Sequence, residues 1–99
     1  MNARDAAQDL SMGQGITAQA LADRLRQALA PTVLEVEDES AMHEGHAGAN
    51  GSGFGTHFRV RIGGPGFAGR SRVAQHRLVY DALADFMVRG VHALAIEIV

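Results

Sequence analysis

The stretch Ser71–Val99, SRVAQHRLVYDALADFMVRGVHALAIEIV, decides the fold. Its apolar residues Val79, Tyr80, Leu83, Phe86 and Met87 recur at three- and four-residue steps, which puts them on one face of a helix. Ser71 has the side chain of an N-cap. Arg89-Gly90 suits the other end, a cation beside the helix C-terminus and then a residue free to turn left-handed. From His92 to Ile98 the pattern changes to alternation, so Leu94, Ile96 and Ile98 share one face of a strand. The helix supplies the apolar surface that this strand needs. A break into two helices is expected near the start or the end of the helical stretch, with Ser71–Ala74 as the turn that could stand apart.

Working back towards the N-terminus, Thr32–Asp38 and His57–Ile62 also alternate. Leu34 and Val36 oppose Glu35 and Glu37; Phe58, Val60 and Ile62 oppose His57, Arg59 and Arg61. Each is a half-buried strand with one charged face, acidic in the first and basic in the second. An antiparallel pairing sets Glu against Arg, at ~0.2–1 kcal/mol per pair. The two strands are therefore expected to be neighbours. Between them lies a Gly-rich connection, Glu39–Thr56 (ESAMHEGHAGANGSGFGT), and a second one, Gly63–Gly69, leads into the long helix. Further back, Ile16–Ala30 reads as a helix with an apolar stripe of Leu21, Leu25, Ala28 and Leu29. Thr17 is its N-cap, Ile16 and Leu21 form a staple across the cap, and Pro31 ends it. Residues 1–15 read as a disordered tail and residues 16–99 as the folded domain.

The helix between the last two strands favours a parallel crossover. The expected architecture is α+β, a mixed three-stranded sheet with helices on one face, in the order αββααβ. Ninety-nine residues with 46% hydrophobic content make one small domain with a thin core. A net charge of −2 argues against a dedicated nucleic-acid binder on total charge. The distribution is uneven, however. Residues 35–44 hold five acids, and residues 45–80 hold five Arg and no acid. No Cys is present, which removes thiol catalysis and a self-contained thiolate metal centre. No run is long enough to span a membrane, and the N-terminal residues lack the apolar core of a signal, so the expected compartment is the cytoplasm.

Several motifs compete for a chemical role. Gly64–Ser71, GPGFAGRS, approaches a phosphate-binding loop between strand and helix, but Arg70 stands in place of Lys and Pro65 removes a backbone donor. Gly66-Phe-Ala-Gly69 matches a nucleic-acid clamp of the G-x-x-G type, yet it follows a strand rather than joining helices. Arg70, Arg72 and Arg77 keep a nucleic-acid face in view. The five His are His43, His46, His57, His76 and His92. His76 falls on the helix stripe and reads as a buried structural residue or as part of a partner or nucleic-acid face with Arg70, Arg72 and Arg77. His57 has outward parity and reads as a surface residue. His92 starts a strand at the sheet rim; with a loop His it could form an open metal site that a partner completes. No Ser–His–acid or paired-carboxylate arrangement is seen, and no enzymatic activity or small-molecule substrate is expected.

Leu34–Ser40 (LEVEDES), Met42-His43, Thr56–Val60 (THFRV), Phe67-Ala-Gly69, Gln75–Val79 (QHRLV) and Val91–Leu94 (VHAL) occur in one order that resembles the BolA family, over residues 16–98. The resemblance implies a class II K homology-like fold. It implies a protein that binds a monothiol glutaredoxin and shares a [2Fe–2S] cluster with it, and in some members a transcriptional regulator that contacts DNA. It implies His92 as the fixed cluster ligand and His43 as the loop ligand, with His46 a rival because the loop is long. The glutaredoxin Cys and glutathione would supply the thiolates, since two His can replace two Cys on one iron. Ligation needs neutral imidazole, so binding is expected to weaken in acid. Gln75 stands where the family carries an Arg before His76-Arg77, which weakens any contact made there. The competing readings are a nucleic-acid-binding regulator that uses Arg70, Arg72 and Arg77, and a partner-free His-based binder of divalent metal.

Overall fold

The computed structural model describes residues 15–43 and 55–99, with the side chains of residues 42 and 43 excepted. The expected tail, apart from Gly15, lies outside the described residues, as do loop residues 44–54. Helix α1 is Ala18–Leu29, capped by the Thr17 hydroxyl, which accepts the Ala20 N–H. Its last turn closes on Ala30 in the left-handed region (φ 47°), just before Pro31. Strand β1 (Val33–Asp38) follows, then a 3₁₀ turn over Ser40–His43. After strand β2 (His57–Gly63) and a 3₁₀ turn at Pro65–Phe67 come α2 (Arg72–Ala82), α3 (Ala84–Arg89) and β3 (Ala93–Ile98).

The sheet order is β1-β2-β3, with β1 antiparallel and β3 parallel to the central strand. This is the mixed α+β arrangement expected. Register sets Glu35 opposite Arg61 and Glu37 opposite Arg59. Arg61 bonds both Glu35 (2.9 Å) and Glu97 (2.8 Å), so one guanidinium ties all three strands on the outer face. Arg59 departs from its directly opposed acid and bonds Glu39 at 2.9 Å, one residue beyond β1.

On the inner face, Phe58, Val60 and Ile62 are almost fully buried against Leu21 and Leu25 of α1, Val79 of α2, and Leu83 and Phe86 beyond it. Ile16 and Leu21, the expected staple, both belong to this core. Three expectations need correction. Ala28 is exposed and Ala22 is buried in its stead, because the stripe drifts round a 3.6-residue helix. Tyr80 is 39% exposed, since the residue after buried Val79 turns about 100° away from the core. The helical break lies at Leu83, towards the C-terminal end, and not at Ser71–Ala74, where the Ser71 hydroxyl accepts the Ala74 N–H. Leu83 leaves helical geometry (φ −106°, ψ 14°) while its carbonyl accepts from Phe86 and Met87. Val79, Leu83 and Phe86, which share the apolar face, all enter the core across this break.

Candidate functional site

The junction between α3 and β3 is a rigid mount. Gly90 (φ 142°) closes α3, and buried Val91 anchors the chain in the core. The His92 N–H then donates to the Thr56 carbonyl at 2.7 Å, and the His92 side chain is exposed at the sheet rim. This is where the expected fixed ligand was placed. Its neighbour is His57, whose ring centroid lies 5.4 Å away at an angle of 49°.

His57 corrects the sequence reading. Its outward parity is right, but it is only 7% exposed. The alternation rule assumes an open outer face; here the Ser40 turn, Thr56 and His92 close over the start of the strand. The Thr56 hydroxyl lies 2.9 Å from His57 Nδ1.

A polar network built on Asp38 and Ser40 holds this corner together. Asp38 accepts the Ser40 N–H (2.9 Å), the Ser40 hydroxyl (2.6 Å) and, through its other oxygen, the Gly55 N–H (2.9 Å). The Ser40 oxygen in turn accepts the N–H groups of Thr56 (2.8 Å) and His57 (2.9 Å). The two ends of the Gly-rich connection are thus tied to each other and to the His92 backbone. Sequence reasoning missed Asp38, Ser40, Thr56 and His57 as a unit. Asp-x-Ser directly after a strand was a usable signal, because both side chains favour local turns that bond backbone N–H groups.

Beside the histidines is a hollow of about 180 Å³ lined by Glu39, His57, Arg59 and Ala93–Ala95. Hydrogen bonding to the Glu39 carboxylate raises the Arg59 guanidinium above its ordinary value. The His43 side chain and all of His46 lie outside the described residues, so the loop ligand is not placed. Among the described residues, no group of three or more His, Cys, Asp or Glu is arranged to hold a metal. With no Cys in the chain, the described donors at this corner are imidazoles, which could hold at most part of a metal or cluster site.

The second expected surface is separate from this corner. His76 is half-buried, not buried, and lines a hollow of about 420 Å³ with Arg72, Gln75, Ile96, Glu97 and Ile98. The end of α2 rides over an edge strand and leaves that side uncovered. Arg70 and Arg77 are exposed nearby.

A family described as BolA-like protein matches residues 25–99. BolA-like protein 1 of Mus musculus is 41% identical over 87 residues, 88% of this chain and 60% of that protein. SufE-like protein 1, chloroplastic/mitochondrial, of Arabidopsis thaliana is 47% identical over 77 residues, 75% of this chain but 21% of that protein. This chain therefore spans only part of both relatives. The solved BolA domain of SufE1 from Arabidopsis thaliana superposes with a TM-score of 0.72 and 41% identity, covering 82% of this chain and 87% of that one. The solution structure of BolA1 from Mus musculus gives 0.66 at 44% identity, covering 84% and 63%. With the family matched from the middle of α1 to the last residue and two BolA structures sharing the fold, the chain belongs to the BolA family.

Proposed function

We propose that this protein is a non-enzymatic adaptor that docks a monothiol glutaredoxin and supplies imidazole ligation to a [2Fe–2S] cluster shared with the glutaredoxin Cys and glutathione. The role is iron–sulfur trafficking or iron sensing in the cytoplasm. Membership in the BolA family supports a BolA-type adaptor or regulator. The observation that carries the finer reading is His92: exposed, yet fixed through its own N–H, buried Val91 and the adjoining His57 ring. A ligand held in one direction loses little freedom when a partner brings the rest of the site. His43 or His46 would be the second imidazole, with Ser40 and Asp38 holding the stem from which either extends. Such ligation on one iron raises the potential of the cluster.

The test mixes the protein with a monothiol glutaredoxin, glutathione, iron and sulfide, and records the visible spectrum. A coloured heterocomplex is expected, and His92→Ala should lose it or shift its bands while keeping stability within about 0.5 kcal/mol, as exposed sites do. His43→Ala and His46→Ala, run in parallel, assign the loop ligand. An unchanged spectrum in His92→Ala would sink the reading. Acid should weaken the complex, because protonated imidazole cannot ligate.

The second reading is a DNA-binding regulator. It is favoured by Arg70, Arg72 and Arg77, all exposed, with Arg72 and Arg77 lining one hollow. Its signature is an affinity that falls steeply with salt. Among the described residues no helix is long and apolar enough to cross a membrane. The chloroplastic/mitochondrial label of the Arabidopsis relative makes an organelle the alternative compartment, which fractionation would reveal.

A further inference from the structure

Strand β3 has a neighbour on one side only. The N–H groups of Ala93 and Val99 donate towards β2, to Thr56 and Ile62. Amides alternate in direction along a strand. The N–H and C=O groups of Leu94, Ile96 and Ile98 therefore face the open edge, where no described strand takes them. An edge of this kind is a template for another chain.

The surroundings say which chain fits. On the helix side of the edge is the hollow between α2 and β3, with Ile96 and Ile98 as its apolar floor and Arg72 and His76 as its wall. A second hollow of about 500 Å³ continues from it, sharing Arg72 and His76 and adding Val73, Arg77, Tyr80 and Asp81. Val73 is 64% exposed, an apolar side chain with nothing over it among the described residues. Among the described residues, five other arginines have carboxylate partners, while Arg70 donates only to the Gly66 carbonyl. Arg24 and Arg89 bond Asp85, Arg26 bonds Asp23, Arg59 bonds Glu39, and Arg61 bonds Glu35 and Glu97. Arg72 and Arg77 have no carboxylate partner among the described residues. Of the two acids in these hollows, Glu97 is held by Arg61, which leaves Asp81.

We infer that this groove binds an extended segment of a partner protein, which adds to β3 as a fourth strand. The segment carries apolar side chains over Ile96 and Ile98 and at least one carboxylate for Arg72 or Arg77. Backbone pairing gives the affinity, and the alternate side chains give the choice of partner. A nucleic acid is the less suitable occupant. Its backbone needs an uninterrupted cationic track; here Asp81 and Glu97 interrupt the track. The inference needs neither His92 nor a cluster, so it stands or falls apart from the proposed function.

The probe is a synthetic peptide, acetyl-Thr-Glu-Thr-Val-Thr-Val-Thr-Glu-Thr-amide, titrated into the ¹⁵N-labelled protein without metal. Shifts are expected at the amides of Leu94, Ile96 and Ile98 and along the Arg72–Tyr80 face of α2, with slowed exchange of those three β3 amides. Arg72→Glu should weaken binding about tenfold, and a peptide with Lys for Glu should restore it to that variant. Two N-methylated peptides complete the test, each blocking one alternate set of amides. One set faces β3 and the other faces away, so loss of binding with one set alone is required. If neither methylation matters, if both abolish binding, or if the shifts fall outside the groove, the inference is overturned. It is equally overturned if an oligothymidylate perturbs the groove and the peptide does not.

Discussion

At the residue scale, the informative position is Ser40. It is a small polar side chain, 2% exposed, at the start of a Gly-rich connection. Its hydroxyl is the shared acceptor for two backbone donors on the far side of that connection and donates to Asp38. Removing it leaves the N–H groups of Thr56 and His57 buried without that acceptor. Ser40→Ala should therefore cost ~1–3 kcal/mol, although only one atom is lost. Urea denaturation would measure it, and a loss below 0.5 kcal/mol, the ordinary range of surface changes, would refute the network's role. The same change should reduce the yield of any His92-dependent complex, because the ends of the loop are no longer tied. His92 is the complementary case. It is exposed, so its substitution is expected to test the proposed ligation with little change in stability.

At the scale of elements, α3 is too short to hold itself, at six residues. It is held from outside. Phe86 enters the core with Arg24 and Arg89 stacked on its ring at 4.9 and 4.8 Å. Arg24 also reaches the Ala82 carbonyl at the end of α2 (3.2 Å) and bonds Asp85 at 2.6 and 3.2 Å. Hydrogen bonding from Arg24 holds the Asp85 carboxyl below its ordinary value. A carboxyl depressed in the folded state stabilises the fold above its unfolded pKa, and that contribution fades as pH falls through the folded value. Asp85→Asn should thus lower the melting temperature slightly at neutral pH. The gap to the parent should close as pH falls below the ordinary carboxylate range and the parent's carboxylate becomes protonated. A gap that stays constant down to pH 2 would show that the ion pair is not its source. Because α3 aims the chain into Val91 and His92, this pair indirectly supports the direction of the rim histidine.

At the scale of the whole molecule, the fold is a thin layer of helix on a three-stranded sheet, closed where the chain end meets the centre. A Cβ on Gly63 would run into the carbonyl of Val99, while the Gly63 carbonyl accepts from Thr32. The end of β2 thus fits both the entry to β1 and the exit of β3 with no spare volume. Gly63→Ala should destabilise by ~1–3 kcal/mol through overpacking at that junction. Thermal melting of this variant, with a C-terminal truncation that removes Val99 as the relieving background, tests the cause. If truncation does not lessen the penalty, the clash is not with Val99. The two proposed surfaces sit apart on this scaffold, the histidine corner at the start of β2 and β3 and the groove along the open edge of β3. Substitutions at His92 and Arg72 are accordingly expected to act independently.

The sequence by itself determined the elements, their order, the antiparallel Glu–Arg register and the parallel crossover. These follow from period, capping residues and linker type, which are local properties legible within a few residues. It also determined that these 99 residues supply no thiolate. Tertiary structure alone decided three further matters. Parity assigned His57 to the outer face, but burial depends on what lies above that face, and a turn 17 residues away in sequence closes over it. A break into two helices was expected near the start or the end of the helical stretch, but only the packed molecule placed it at Leu83. His76 lay on the apolar stripe, yet its end of α2 overhangs an edge strand, so the same pattern that buries Val79 leaves His76 beside an open groove. Period reports which way a side chain points; only the packed molecule determines whether anything is there to meet it.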